Sequence, residues 1–308
     1  LIGDLTRSEY ESWRERLSAC LPASEKLFAS DEYYERDDID IALVANPPAG
    51  SLSQLPNLRF IQSLWAGVDR LLSDPTLPTD VPVSRLVDPN LTQAMVESVV
   101  AHVLFLHRQI PQYLGQQSSA EWKQWTQPLA MQRRVGMLGL GRLGRAAAQA
   151  LSRLGFDVVG WSATPRRVKG IRTLHSAERL NSVLRETEIL VNLLPLTPQT
   201  TGILRKELFH VLPRGASIIN LARGEHLVEE DLIDALATGH ISHAILDVFR
   251  TEPLPPQHPF WSHPRVSVLP HVAAATDPDS ATRLAANNIA AFRAGRTPVF
   301  LVDRRKGY

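Results

Sequence analysis

Residues 139–144 read Gly139-Leu140-Gly141-Arg142-Leu143-Gly144 and follow directly on the apolar run Val135-Gly136-Met137-Leu138. A G-x-G-x-x-G placed between a short strand and a helix constrains the backbone at three points. The first glycine permits a tight turn, the second lets peptide N–H groups approach a pyrophosphate, and the third lets the helix pack close to the strand. The helix that should follow, Arg142 through Leu154, points its partial positive charge at that anion. The next apolar run, Phe156-Asp157-Val158-Val159-Gly160-Trp161, arrives where the second strand of a βαβ unit belongs. The motif in this setting predicts dinucleotide binding.

The chain has 308 residues, enough for two domains with cores of their own. A net charge of +1 gives no electrostatic footprint for nucleic acid. Cys20 is the only cysteine, which excludes a disulfide framework and a cysteine metal site. No apolar run reaches membrane-spanning length and the first residues do not form a signal peptide, so the expectation is a cytoplasmic protein without a membrane partner. Leu1-Ile2-Gly3 begins without Met and reads as the tail of a strand.

From residue 133 onward, strand patterns at 134–139, 156–161, 188–194, 216–221, 243–249 and 266–270 alternate with helix patterns at 141–154, 177–187, 205–212 and 227–238. Most of these strands are apolar without period-2 alternation, as strands covered on both faces are. Such alternation implies a parallel, doubly wound sheet. The first hundred residues read as a second α/β unit without a glycine fingerprint. Thr6-x-x-Glu9 forms a capping box ahead of a Trp13/Leu17 stripe, and apolar runs follow at 39–45, 58–65 and 81–87. A long helix, Thr92 to Leu114 and interrupted or ended near Pro111, joins the halves. A helix at 279–295 and the tail Val299-Phe300-Leu301-Val302 return the chain to the first domain. The expected architecture is α/β, with two doubly wound parallel-sheet, Rossmann-like domains and an active site in the cleft between them. The discontinuous substrate domain comprises 1–97 plus 273–308, and the inserted nucleotide domain 98–272.

Three polar residues fall at strand ends: Arg223 after Ser217–Ala222, Glu252 after Ala244–Phe249, and His271 after Val266–Pro270. The carboxyl ends of the strands line the ligand crevice in open α/β sheets. An Arg can hold a carboxylate bidentately. A His can exchange a proton with a carbonyl oxygen, and a Glu on the other imidazole nitrogen orients the ring and favours its protonated form. Taken singly, Arg223 could cap a turn, Glu252 could be a solvated carboxylate and His271 a structural group; it is the set of three behind a dinucleotide fold that points to keto-acid chemistry. The other nine histidines read as structural. The pairs His240/His243 and His258/His263 lack a third ligand, so no metal site is expected.

The segments Asn220-Leu221-Ala222-Arg223-Gly224, Leu246-Asp247-Val248-Phe249 with Thr251-Glu252-Pro253-Leu254-Pro255, and Pro270-His271-Val272-Ala273-Ala274 resemble the signatures of the D-isomer-specific 2-hydroxyacid dehydrogenases. The run from Asn192 through Leu194, Pro195 and Thr197 to Thr200 resembles the family's nicotinamide-side loop. Trp161-Ser162, Trp65-Ala66-Gly67-Val68-Asp69 and the ending Val302-Asp303-Arg304-Arg305-Lys306-Gly307-Tyr308 fit the glyoxylate/hydroxypyruvate reductase A branch. The resemblance covers essentially the whole chain. It implies that Arg223, Glu252 and His271 are catalytic, with His271 as proton donor. It also implies that Trp65, Ala66, Gly67 and Val68 join Arg223 in binding substrate, the loop's backbone N–H groups cradling a carboxylate. Cofactor contacts are implied for Gly139, Gly141, Arg142, Leu143, Gly144, Leu194, Pro195, Thr200, Leu221, Ala222, Asp247 and Ala273. Trp122 and Trp125 fall in an arm that tends to meet the partner subunit of a homodimer, and read equally well as core aromatics. The chain departs from the branch at Ala45-Asn46-Pro47-Pro48, where an aromatic residue and a His tend to precede the Pro-Pro pair; this bears on substrate preference.

NAD-specific sites place an acidic residue at the end of the second strand, on the ribose diol. Ser162 stands there, in Trp161-Ser162-Ala163-Thr164-Pro165-Arg166-Arg167. Ser162 and Thr164 can hydrogen-bond a 2′-phosphate and Arg166 or Arg167 can supply charge, so NADP(H) is expected, with NAD(H) as the alternative. The expected reaction is NADPH-dependent reduction of glyoxylate to glycolate or hydroxypyruvate to D-glycerate. The rivals are another enzyme of the family, such as a D-lactate dehydrogenase, and a non-catalytic dinucleotide sensor like the corepressors that share this fold.

Overall fold

Thr6 opens the first helix through the reciprocal pair that its spacing from Glu9 predicts. The Glu9 N–H donates to Thr6 Oγ1 at 3.3 Å, and the Thr6 N–H donates to Glu9 Oε2 at 2.8 Å. The computed structural model describes residues 1–29 and 32–307. The first half contains β1 (Ile2–Gly3), α1 (Arg7–Cys20), β2 (Ile41–Ala45), β3 (Phe60–Ser63), α2 (Asp69–Leu72) and β4 (Val83–Ser84). Then come α3 (Pro89–His107), α4 (Ile110–Ser118), β5 (Arg134–Leu138), α5 (Arg142–Arg153), β6 (Asp157–Ser162), β7 (Arg172–His175), α6 (Ala177–Leu184) and β8 (Ile189–Asn192). The last stretch has α7 (Lys206–Val211), β9 (Ala216–Asn220), α8 (Glu229–Ala237), β10 (Ile241–Leu246), β11 (Val266–Val268) and α9 (Pro278–Arg293). Two compact units result, Leu1–Leu91 with Thr276–Tyr308, and Thr92–Ala275.

In the first unit a parallel sheet runs β1-β2-β3-β4. Its strands are apolar on both faces because both are covered. Leu43, Ala45 and Phe60 pack with Trp13 and Leu17 of α1 and Ala281, Ala285 and Ile289 of α9. Ala42, Val44, Ile61 and Val83 face the opposite way, onto Leu52, Leu55, Leu71 and Leu77. The tail lies along β4, with the Val302 N–H donating to the Val83 carbonyl at 2.8 Å.

The second unit is a parallel sheet of order β11-β10-β9-β8-β5-β6-β7. The chain leaves β5 toward β6 and β7, then returns to β5's other edge with β8, so the order reverses between β5 and β8. That is where an open α/β sheet leaves a ligand crevice. Alternate strand residues fill two cores. Leu138, Leu190, Ile218 and Leu246 pack with α6, α7 and α8. Met137, Val191, Ile219 and Ile245 pack with Val99 and Val103 of α3 and Ala147, Ala148 and Leu151 of α5.

One local feature sharpens an expectation and another was not foreseen. The helix pattern over 92–114, expected to be interrupted or ended near Pro111, is two helices. The break precedes Pro111, with Gln109 in the left-handed region at φ 57° and the proline in the first turn of α4. A proline deeper in a helix would lose an N–H bond and crowd the preceding turn, whereas the first turn tolerates it. The edge strand β7, Arg172-Thr173-Leu174-His175, carries no apolar run because it is partly exposed and pairs with β6 on one side.

Candidate active site

The glycine loop begins where β5 ends. Gly139 has φ +95°, and a Cβ there would lie 2.5 Å from the Leu193 carbonyl oxygen. A Cβ on Gly144 would lie 1.8 Å from the Gly139 carbonyl oxygen, so helix and turn touch through backbone alone. Gly141 differs: a Cβ there would meet no protein atom within 4 Å. It is exposed at the N-cap of α5, where no side chain caps the free N–H groups. Internal packing explains two glycines, and open space in front of an uncapped helix end is left at the third. That combination fits an anion arriving from outside. Arg142 is exposed and Leu143 half-buried beside it.

Ser162 ends β6. It is buried, and its Oγ donates to the Thr164 carbonyl at 2.8 Å, which curls the following loop; Thr164, Arg166 and Arg167 are exposed. Across the switch point, the loop after β8 is tied by Thr200, whose Oγ1 donates to the Pro195 carbonyl at 2.7 Å and accepts the Thr197 N–H at 2.8 Å. Leu194, Leu221 and Ala222 are buried at the ends of β8 and β9.

Arg223 follows β9, half-buried, and its Nη1 donates to the Ala222 carbonyl at 2.7 Å. The next residue can only be glycine, because a Cβ at 224 would lie 1.9 Å from the Phe249 carbonyl carbon. This close approach brings the Arg223 turn against the segment that carries Glu252. Glu252 accepts the Phe249 N–H on Oε1 at 2.9 Å and faces His271 Nδ1 with Oε2 at 2.8 Å. Asp247, buried at the end of β10, positions the histidine. Its carbonyl accepts the His271 N–H at 2.9 Å, and its carboxylate accepts the Val272 and Ala273 N–H groups at 2.7 and 2.9 Å. His271 itself sits at φ 55°, a backbone state that a β-carbon disfavours and that these bonds hold in place.

The charges follow the geometry. The hydrogen bond that His271 donates to Glu252 raises the His271 pKa above the usual histidine value; burial and Arg223 oppose the shift, and the charges of Glu252 and Asp247 reinforce it. Burial alone would push the Glu252 carboxyl up, but the hydrogen bonds from His271 and Phe249, with the charges of His271 and Arg223, hold it below its ordinary value. A protonated imidazole and an ionised carboxylate therefore stabilise each other, with a guanidinium close enough to act on both.

The loop Trp65-Ala66-Gly67-Val68 lies in the first unit, after β3. The Trp65 N–H donates to Ser63 Oγ at 3.1 Å, the Trp65 carbonyl accepts the Leu86 N–H at 3.0 Å, and the Ala66 carbonyl accepts from Arg85 Nη1 at 3.4 Å. Val68 is buried at the start of α2. In the second unit Trp122 is 95% exposed, which removes it from any core of that unit, and Trp125 stacks under Lys123 Nζ at 4.5 Å.

Two residues at the site were not anticipated. Asn192 and Asn220 end the adjacent strands β8 and β9, both fully buried, and Asn192 Nδ2 donates to Asn220 Oδ1 at 3.0 Å. Asn192 Oδ1 accepts the Leu194 N–H at 3.2 Å, and Asn220 Nδ2 donates to the Arg223 carbonyl at 2.9 Å. The signal was present in the chain: an amide closing an otherwise apolar strand must find partners when buried.

Residues 100–273 match the family described as D-isomer specific 2-hydroxyacid dehydrogenase, NAD binding domain. The chain belongs to the D-isomer specific 2-hydroxyacid dehydrogenase family. It is 42% identical over 312 residues to glyoxylate/hydroxypyruvate reductase A of Yersinia enterocolitica, covering 97% of each chain. Among solved structures it resembles a D-isomer specific 2-hydroxyacid dehydrogenase from Xanthobacter autotrophicus in complex with NADPH and MES (TM-score 0.93, 41% identity, 100% of this chain and 98% of that one). It also resembles the NADPH-dependent glyoxylate/hydroxypyruvate reductase of Sinorhizobium meliloti in complex with NADP and sulfate (TM-score 0.91, 38% identity, 100% and 98% covered). In this chain the strand-end trio and the glycine loop both lie in the unit spanning Thr92–Ala275. Among the described residues no helix is long and apolar enough to cross a membrane.

Proposed function

We propose that this protein is an NADPH-dependent reductase of small 2-keto acids, converting glyoxylate to glycolate and hydroxypyruvate to D-glycerate. The observation that carries the reading is the 2.8 Å bond between Glu252 Oε2 and His271 Nδ1, formed within reach of the Arg223 charge. Bound NADPH supplies the hydride for the carbonyl carbon. His271 delivers the proton to the carbonyl oxygen from Nε2, because Nδ1 is committed to Glu252. Glu252 keeps the ring oriented and its protonated form favoured. The planar fork of Arg223 grips the substrate carboxylate. The half-exposed imidazole recovers its proton from solvent between turnovers.

The glycine loop and the N-terminus of α5 would hold the pyrophosphate, with Arg142, Leu143, Leu194, Pro195, Thr200, Leu221, Ala222 and Ala273 shaping the cofactor site. In our reading Asp247 serves there chiefly by fixing the turn that carries His271 and Ala273. Ser162, Thr164, Arg166 and Arg167 would select the 2′-phosphate; no carboxylate stands at the end of β6 to repel it. The NADPH- and NADP-bound relatives support that choice. For the first unit we propose substrate binding, with the N–H groups of Ala66, Gly67 and Val68 receiving a carboxylate. The exposed Leu114, Trp122, Leu129 and Met131 support assembly as a homodimer, which sedimentation would read directly. We place the protein in the cytoplasm.

The deciding experiment is turnover of a keto-acid panel with NADPH and with NADH. Reduction of glyoxylate and hydroxypyruvate, faster with NADPH, is expected. Binding of dinucleotide without turnover of any keto acid would overturn the enzymatic reading.

A further inference from the structure

His226 is fully buried at the end of the short turn Gly224–His226, immediately after Arg223. Its ring lies between two segments of the site. Nδ1 is 2.9 Å from Asn192 Nδ2, and Nε2 is 3.3 Å from the Pro195 carbonyl oxygen. The surrounding groups fix the proton on this imidazole. Asn192 turns Oδ1 to the Leu194 N–H, so its NH₂ faces Asn220 Oδ1 and His226 Nδ1. An amide NH₂ can only donate, so Nδ1 accepts. A carbonyl can only accept, so Nε2 carries the hydrogen toward Pro195. Both requirements describe the same neutral tautomer.

The bonds connect into one chain. It runs from the Pro195 carbonyl through His226 to Asn192, from Asn192 to Asn220, and from Asn220 to the Arg223 carbonyl and the Ala222 N–H at 2.9 and 3.3 Å. One end is the loop proposed to face the nicotinamide. The other is the peptide that sets the direction of the Arg223 side chain.

We infer that His226 is a positioning residue that couples these two loops: through Nδ1 it orients the amide pair behind Arg223, and through Nε2 it holds the Pro195 turn. Its assignment to the Arg223 arm rests on the reading of Arg223 as the substrate-binding residue. The two nitrogens do separate jobs, so partial isosteres separate them. His226→Asn places an amide oxygen where Nδ1 was and offers Asn192 an acceptor, but cannot reach Pro195. His226→Gln places an amide NH₂ where Nε2 was and donates to Pro195, but lacks the near acceptor. His226→Phe fills the volume and makes neither bond.

The test measures the KM for glyoxylate, the Kd for NADPH by direct titration without substrate, and thermal unfolding. Losing one buried hydrogen bond corresponds to about a tenfold change. H226F should raise both the glyoxylate KM and the NADPH Kd by about that factor. H226N should restore the glyoxylate KM and leave the NADPH Kd raised; H226Q should do the reverse. If all three variants lower the melting temperature alike and show no such split, His226 is a packing residue and the inference fails. Arg223→Ala run in parallel isolates the underlying reading. An unchanged glyoxylate KM there refutes the role of Arg223, while the NADPH Kd of H226N against H226Q still decides whether His226 holds the Pro195 turn. Because H226N and H226Q each keep one polar partner, they carry the test if H226F does not fold.

Discussion

Glu252 Oε2 and His271 Nδ1 stand 2.8 Å apart, and the other carboxylate oxygen is held by the Phe249 N–H, so the pair has one geometry. The hydrogen bond raises the His271 pKa, so this imidazole, the proposed proton donor, stays charged above the pH at which a free histidine would lose its proton. With the protonated form required, kcat for reduction should be level at low pH and fall as pH rises through that raised value. Glu252→Gln removes the charge and should move the fall to lower pH. An alkaline limb that stays in place in that variant refutes the coupling. His271→Ala should lower kcat by roughly 10²–10⁴ while NADPH still binds.

Arg223→Lys keeps the positive charge and loses the planar fork. The variant should reduce glyoxylate with a clearly raised KM and bind NADPH as the parent does. Should NADPH binding weaken and the glyoxylate KM stay unchanged, Arg223 belongs to the dinucleotide site.

Gly141 and Gly144 should respond oppositely to alanine. At 144 the added carbon would fall 1.8 Å from the Gly139 carbonyl oxygen, so G144A should fold poorly or melt far below the parent. At 141 the carbon meets no protein atom, and the backbone at φ −67° accepts a side chain. G141A should therefore melt at or slightly above the parent temperature while NADPH affinity falls at least about tenfold. Equal NADPH affinity in G141A and the parent would mean that the open space at Gly141 is not the cofactor's.

The second unit was legible in the chain because most of its strands are buried on both faces and carry apolar runs, from Val135–Leu138 to Ala244–Leu246. The edge strand β7 was not, since one partner strand and a half-exposed surface demand no apolar run. Arg223, Glu252 and His271 could be picked out because each stands at a strand end. Asn192, Asn220 and His226 were not singled out: an amide closing an apolar strand signals that it needs partners, but which partners satisfy it shows only where the segments 192–195 and 220–226 meet in the fold. The helix break before Pro111 was half legible, since proline marks where a helix cannot continue but not which residue takes the left-handed turn.

His243 makes the fold sensitive to acid. It is buried in β10, and burial, helped by the charge of His263, lowers its pKa to about 4. The unfolded chain takes up the proton near the usual 6.5, so between those values the unfolded state binds more protons than the folded one. Its contribution to stability is complete above pH 6.5 and is lost as pH falls toward 4, roughly 3 kcal/mol in all. Denaturant titrations across this range should show the decline, and His243→Gln should flatten it. The same slope in both proteins would assign the acid sensitivity to other groups.

Cofactor choice should be governed by the loop after β6. A charge-assisted hydrogen bond to a 2′-phosphate contributes about 1.5–3 kcal/mol, or roughly ten- to a hundredfold in affinity. Arg166 and Arg167 are both exposed there and can each supply one. Replacing both with Ala should raise the KM for NADPH by at least about tenfold and leave NADH nearly unchanged. Ser162→Asp should go further, because it adds an acceptor for a ribose diol and sets a negative charge against the phosphate; selectivity reverses most when attraction to one ligand and repulsion of the other come from the same residue. Ser162 Oγ now curls the loop by its bond to the Thr164 carbonyl, which a carboxylate cannot donate, so the melting temperature of Ser162→Asp must be compared with that of Ser162→Ala to separate loop loosening from charge. The decisive quantity is the ratio of kcat/KM for NADPH and NADH across the parent and these variants. A parent enzyme that favours NADH would mean that the two arginines form only a solvated face and that the 2′-phosphate is not read here.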